Sequence, residues 1–288
     1  MSAISRRDFL AGMTIAGTVA LTRGFALGGQ SARRIKSGTD LVELGRCGLR
    51  TTVLGVGTGT QSGNQQRALG QDGFTKLVRH ALDRGIRYID TADSYTMHVL
   101  VRFALEGVPR EQYFIQTKTG ARHPEVAKAD INRFCRELKV DYIDSLLMHC
   151  MTRKGWQADM RPVMDVLREA KRKGRIRAIG VSCHGWDPLV SSVDAEDIDI
   201  HLVRINPFGA HMDGPPEAVA AQIKRMHDKG RGVIGMKVFG ETGFDGRQKR
   251  LQALKYVLGL GCVDAFTIGF TSTAQIDETL ELIRQALA

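Results

Sequence analysis

The sequence predicts an α/β protein, a closed (β/α)8 TIM barrel plugged at its N-terminal end by a small β-hairpin, and three observations lead there. After residue 40, short β-branched runs alternate with longer amphipathic stretches. Such alternation gives parallel strands, because each crossover returns the chain to the same end of the sheet. About eight repeats fit into some 240 residues, which is the number and length that close a barrel. Several amphipathic stretches also end on a glycine suited to a left-handed helix cap: Gly85, Gly174 and Gly230.

Taken in order, residues 41–44 and 51–54 flank a Gly45-Arg46-Cys47-Gly48 turn and read as a hairpin that shields the barrel floor. Strands are expected at 52–56, 88–91, 113–117, 142–148, 176–181, 200–205, 232–239 and 265–270. Helices are expected around 72–84, 97–107, 125–138, 161–173, 186–194, 216–229, 247–259 and 273–287. The run Gly55-Val56-Gly57-Thr58-Gly59 invites a doubly wound nucleotide fold instead. No helical pattern begins there and no acidic residue follows a strand about 20 residues on, so the run reads as the end of the first barrel strand. The barrel domain is placed at 41–288.

Residues 1–30 are set aside as an address label. Ser5-Arg6-Arg7-Asp8-Phe9-Leu10 and the mildly apolar stretch to Leu21 resemble a bacterial twin-arginine (Tat) export signal. The apolar stretch is too short for a bilayer span of ~20 residues, so no stable membrane span is expected. The expected partner is the Tat export machinery and the expected address is periplasmic or otherwise exported. The formal charge of +10 looks like a nucleic-acid footprint until it is divided by position. Residues 1–36 hold six arginines and lysines against one aspartate, and so account for half of it. The densest later run, 171–177, straddles a helix end where cations complement the dipole. No nucleic-acid partner is expected. Five cysteines, Cys47, Cys135, Cys150, Cys183 and Cys262, form no C-x-x-C pair, so neither a metal site nor a disulfide framework is indicated.

In a barrel of this kind chemistry sits at the C-terminal ends of the strands. The second strand ends in Asp90-Thr91-Ala92-Asp93-Ser94-Tyr95, the third in Gln116-Thr117-Lys118, the fourth in Leu147-Met148-His149. Each residue alone has an ordinary structural use, as cap, packing, solvated charge or core imidazole. Their coincidence on three consecutive strand ends points to a site.

The run Gly85-Ile86-Arg87-Tyr88-Ile89-Asp90-Thr91-Ala92-x-x-Tyr95 resembles the aldo-keto reductase signature. So do the Thr117-Lys118 pair, the run 141–149 ending in His149, and the run 174–182 ending in Gly180-Val181-Ser182. The resemblance implies a nicotinamide-dependent oxidoreductase whose catalytic residues are Asp90, Tyr95, Lys118 and His149. It implies a small carbonyl or alcohol as substrate and NADP, or NAD, as cofactor. Tyr95 would be the general acid/base, Lys118 would stabilise its phenolate, Asp90 would hold the lysine, and His149 would orient the carbonyl oxygen.

The expected cofactor shell comprises Gly57, Thr58, Ser182, Cys183, Met236, Lys237, Ser272, Gln275 and Glu278. It departs from the family pattern: Cys183 stands where an Asn is usual, Leu202 where a Gln is, and Met236 where an aromatic stacks on the nicotinamide. The segment 269–278 resembles the family's adenosine-phosphate segment but lacks a basic residue, for which Lys237 or Arg204 would have to substitute. These departures keep a second reading open, an exported, catalytically silent barrel that binds nucleotide or small ligand. A third is a lyase or isomerase using Lys118 as a Schiff base.

Overall fold

Eight parallel strands close into a ring in the order β10-β3-β4-β5-β6-β7-β8-β9, as the computed structural model shows for residues 35–241 and 246–288. The barrel strands are β3 (Leu54–Gly57), β4 (Tyr88–Asp90), β5 (Phe114–Thr119), β6 (Ile143–Met151), β7 (Ile176–Cys183), β8 (Ile200–Arg204), β9 (Gly232–Met236) and β10 (Ala265–Gly269). Ahead of them β1 (Leu41–Glu43) and β2 (Arg50–Thr52) pair antiparallel as a separate hairpin, with Val42 opposite Thr51.

Helices return the chain between strands. They are α1 (Asn64–Arg67), α2 (Gly70–Asp83), α3 (His98–Ala104), α4 (Pro124–Leu138), α5 (Trp156–Asp159), α6 (Arg161–Arg172), α7 (Trp186–Ser192), α8 (Pro216–Asp228), α9 (Arg247–Gly259) and α10 (Thr273–Leu287). The two four-residue helices α1 and α5 carry no apolar periodicity and were not expected. The strand expected to run to 239 stops at Met236, because Lys237 turns into the left-handed region at φ 57°. The twin-arginine segment expected at 1–30 lies outside the described residues, and no described helix is long and apolar enough to cross a membrane.

Strand alternation divides the core in two. Tyr88, Phe114, Leu147, Ala178, Ile200, Leu202, Ile234 and Ala265 point into the barrel, while the opposite faces pack against the helices. Leu44 and Leu49, from the hairpin and its turn, join the inner cluster. Their partners Tyr88, Phe114, Ile200 and Ala265 are each the first residue of a strand. The hairpin therefore closes the N-terminal mouth and leaves the C-terminal mouth open for chemistry.

Candidate active site

Asp90 is the last residue of β4, and the short 3-10 turn Asp93–Tyr95 that follows lifts Tyr95 back over the barrel mouth. Lys118 and His149 come from the neighbouring strands β5 and β6. Lys118 is 1% exposed. Its ammonium donates to both Asp90 oxygens, at 2.7 and 2.9 Å, and to the Thr91 carbonyl at 2.8 Å. Gln116 Nε2 donates to Asp90 Oδ1 at 2.9 Å and to the Tyr88 hydroxyl at 2.8 Å, so the carboxylate is held from two sides. Three hydrogen bonds in fixed geometry are what the buried carboxylate needs to survive desolvation.

Tyr95 lies against this pair. The Lys118 ammonium sits 4.9 Å from its ring centroid, and His149 meets it edge-to-face with centroids 5.7 Å apart at 87°. A phenol, an ammonium, an imidazole and a carboxylate expected from three separate strand ends are thus gathered in one place. Gly59 makes room for the phenol: a Cβ there would come within 2.6 Å of the Tyr95 ring and 2.9 Å of its hydroxyl.

The protonation states follow from burial and neighbours. Burial pushes the Tyr95 phenol up, Lys118 pulls it down and Asp90 pushes it up, leaving it above its ordinary value. Burial pulls the Lys118 ammonium down, but Asp90 and Tyr95 outweigh it and keep the lysine charged. His149 is pushed down to about 3 by burial and then by the Lys118 charge, with His184 and the Arg122 charge adding to it, so its imidazole is neutral at ordinary pH.

Three adjoining cavities share walls across the barrel mouth. The largest, of about 620 Å³, holds Lys118, His149, Ser182, His184, Arg122 and Tyr95. It shares Gly59, Tyr95, Met236 and Lys237 with a second, which adds Gly57, Asp90 and Thr267. That one shares Thr60, Phe239, Ile268 and Gly269 with a third, lined by Thr271, Gln275, Glu278 and Arg250. The result is one long groove with the ion pair and Tyr95 at one end and the start of α10 at the other.

The expected cofactor residues divide along this groove. Gly57, Ser182, Met236, Lys237, Gln275 and Glu278 line it. Ser272 instead caps α10, accepting from the Gln275 N–H at 3.4 Å. Thr58 is fully buried behind the wall, its N–H on the Asp90 carbonyl at 2.9 Å. Cys183 turns away toward α7, donating to the Pro188 carbonyl at 3.3 Å, with burial pushing its thiol up to about 12. Leu202 is barrel core.

Both cations offered as phosphate partners are already paired, Lys237 with Glu241 at 2.9 Å and Arg204 with Asp213. Sequence reasoning missed Arg250, which reaches this end of the groove from α9 and holds both Glu278 oxygens at 3.0 Å. It also missed His184 and Arg122. His184 was legible from strand parity, since Ser182 and His184 fall on one face and Cys183 on the other. Arg122 and Arg250 come from loop and helix packing that no local pattern reports.

A nicotinamide nucleotide fits this groove. The hydroxyl of Thr267 is buried in its wall without a hydrogen-bond partner among the described residues. Gly269 lets the backbone come close, since a Cβ there would strike the Thr60 hydroxyl. Among the described residues one group has metal-ligand spacing, Asp93, His98 and Glu137. Arg133 already serves as its cation, bonded to Asp93 at 2.7 and 2.9 Å, to Asp130 at 2.7 Å and to Glu137 at 3.2 Å.

Comparison with known proteins follows this geometry. The chain is 29% identical over 191 residues to the NADH-specific methylglyoxal reductase of Escherichia coli K12, covering 58% of this chain and 57% of that protein. It is 29% identical over 147 residues to methylglyoxal reductase DkgB of Escherichia coli O157:H7, covering 49% and 55%. The chain therefore spans little more than half the length of these relatives. Among solved structures, the aldo-keto reductase AKR11C1 of Bacillus halodurans superposes with a TM-score of 0.68 at 19% identity, over 86% of this chain and 95% of that one. That likeness supports the same barrel. The profile of the Aldo/keto reductase family matches residues 53–256, and the chain belongs to that family.

Proposed function

We propose that the barrel is a nicotinamide-dependent oxidoreductase that interconverts a small aldehyde or ketone with its alcohol, with Tyr95 as general acid/base. The observation that carries this reading is the packing of Tyr95 against a lysine whose charge Asp90 supports, beside a neutral His149, at one end of a groove that runs to the start of α10. A nicotinamide nucleotide held along the groove would supply the hydride. Tyr95 delivers the proton to the developing alkoxide oxygen, and Lys118 stabilises the phenolate left behind. Lys118 in turn stays put because Asp90 and the Thr91 carbonyl hold its ammonium, whose charge faces the phenol. Neutral His149 has one ring N–H to donate and can point the carbonyl oxygen at the phenol. Met236 lines the groove where the family pattern puts an aromatic, and its thioether would pack on a flat ring held there.

The cofactor is read as NADP, with NAD the alternative; Lys237, Arg204 and Arg250 are each already paired with a carboxylate, and Arg250 is the one of them that lines the α10 end of the groove. The likeness to methylglyoxal reductases supports a small carbonyl substrate. We read residues 1–30 as a twin-arginine signal, which makes the address periplasmic and favours a nucleotide loaded before export and held tightly. The test is fluorescence titration of purified protein with NADPH and with NADH, followed by turnover on small aldehydes and mass spectrometry of any nucleotide released on denaturation. Saturable binding with carbonyl-dependent oxidation of the nucleotide is expected. Protein that neither carries nor binds nucleotide would leave the silent-barrel reading in its place.

A further inference from the structure

The inner face of the barrel carries a polar bridge beneath the ion pair. Gln116 stands opposite Asp90 in the β4–β5 register, one inward-facing step below Lys118, and is fully buried. Both protons of its carboxamide nitrogen are placed. One goes to Asp90 Oδ1 at 2.9 Å and the other to the Tyr88 hydroxyl at 2.8 Å. Tyr88 is a fixed point. It is fully buried, Phe114 meets its ring edge-to-face with centroids 5.5 Å apart, and Gly55 leaves room where a Cβ would strike that ring. Burial first, then the Asp90 charge, holds its phenol well above the ordinary value, so the hydroxyl stays neutral.

A carboxamide is a costly residue in a barrel interior. The Gln116 side-chain oxygen is buried with no hydrogen-bond partner among the described residues, and a leucine would fill the space without that penalty. Polar groups kept against the demands of packing mark functional sites. What this one supplies is aimed at the phenol. Lys118 favours ionisation of Tyr95 and the Asp90 charge works against it. An N–H held on the carboxylate offsets part of that negative charge and stops the carboxylate turning away from the lysine.

We propose that Gln116 is a positioning residue for carbonyl reduction: braced on the Tyr88 hydroxyl, it orients Asp90 and offsets its charge, so that Lys118 acts more fully on Tyr95. This rests on reading Tyr95 as the general acid. It adds a residue that tunes the phenol through Asp90 while touching neither substrate nor nucleotide.

The experiment is single-turnover reduction of butanal, benzaldehyde and glyceraldehyde with NADPH or NADH prebound, by wild type and three variants. Gln116→Leu, which removes both donors, is expected to lower the rate about tenfold. Nucleotide affinity and the half-saturating aldehyde concentration should not move, and the thermal midpoint should stay within a few degrees of wild type. Gln116→Glu keeps the shape and, while protonated, the donor to Asp90. Its rate is expected within about threefold of wild type at about pH 6 and to fall further behind as pH rises. Two carboxyls this close share one proton, and losing it adds a negative charge beside the phenol. Tyr88→Phe removes only the brace and is expected to lower the rate about threefold.

A Gln116→Leu rate within about twofold of wild type overturns the proposal. So does equal impairment of the Leu and Glu variants at about pH 6, which is what a packing defect produces. Should Gln116→Leu fail to fold, Tyr88→Phe decides, and a wild-type rate in that variant overturns the proposal. No turnover by the wild type on any of the three aldehydes contradicts the catalytic reading itself, a different outcome from an unchanged variant.

Discussion

Two opposed influences set the chemistry of the Tyr95 phenol. Burial resists its ionisation and Lys118 favours it, with the net result above the ordinary value. The phenol thus keeps its proton through neutral pH, and in the proposed reaction it would release it only to a base as strong as a nascent alkoxide. Gly59 is the residue that lets it lie there. Gly59→Ala would place a methyl 2.6 Å from the ring, and overpacking of this kind costs about 1–3 kcal/mol. The expected outcome is a fall in kcat of about tenfold or more as the ring tilts away from Lys118, measured with nucleotide affinity as the control. An unchanged kcat would mean that the ring position is not what matters. Asp90, Tyr95, Lys118 and His149 could be read from the chain because each closes a short motif at a strand end. Gly59 could not, since its function depends on a ring 36 positions away that only folding brings beside it.

The element that aims Tyr95 is the three-residue turn Asp93–Tyr95, which has no side-chain cap of its own. Its anchor is Arg133 on α4, which clamps Asp93 with two bonds and binds Asp130 and Glu137 as well. Asp130 accepts from the Thr119 hydroxyl at 2.6 Å, and Glu137 is bonded to His98 at 2.7 Å. One guanidinium therefore couples the Tyr95 turn to β5, α3 and α4. Arg133→Met should cost about 1–2 kcal/mol of stability, discounted because the side chain is 37% exposed. It should lower kcat more than it raises KM, because the phenol loses its aim while the groove keeps its walls. Equal losses in both would make Arg133 a structural residue only. Element by element, the strands were legible because parallel barrel strands are β-branched runs bounded by glycine. The ends were less so: β9 stops early at Met236 because Lys237 takes a left-handed φ, a conformation that its residue type does not advertise.

Across the whole molecule, burial holds several imidazoles below their ordinary value, His201 and His149 among them. His201 is 1% exposed, and burial, then Arg231, pushes it down to about 3. His149 is pushed to the same value. In the unfolded chain both would protonate near 6.5. The folded pKa is the lower one, so the unfolded state binds more protons as pH drops. Their contribution to stability is present above about pH 6.5 and is lost progressively as pH falls toward 3. The urea midpoint should decline from pH 7 to pH 4, and His201→Gln should shallow that decline. An identical pH slope in wild type and variant would contradict it. Closure itself was predictable, from about eight repeats and a hairpin plug. The charge pattern at the mouth was not, because the pairing of Lys118, Lys237 and Arg204 with their carboxylates is a property of the assembled rim.

The central claim is that Tyr95 passes the proton, and the most direct test is Tyr95→Phe in single-turnover reduction of a small aldehyde with nucleotide prebound. The account predicts a rate loss of about 10²–10⁴-fold with nucleotide affinity and thermal stability near wild type, since only one oxygen has gone. A variant that reduces the aldehyde within a few-fold of the wild-type rate would contradict it.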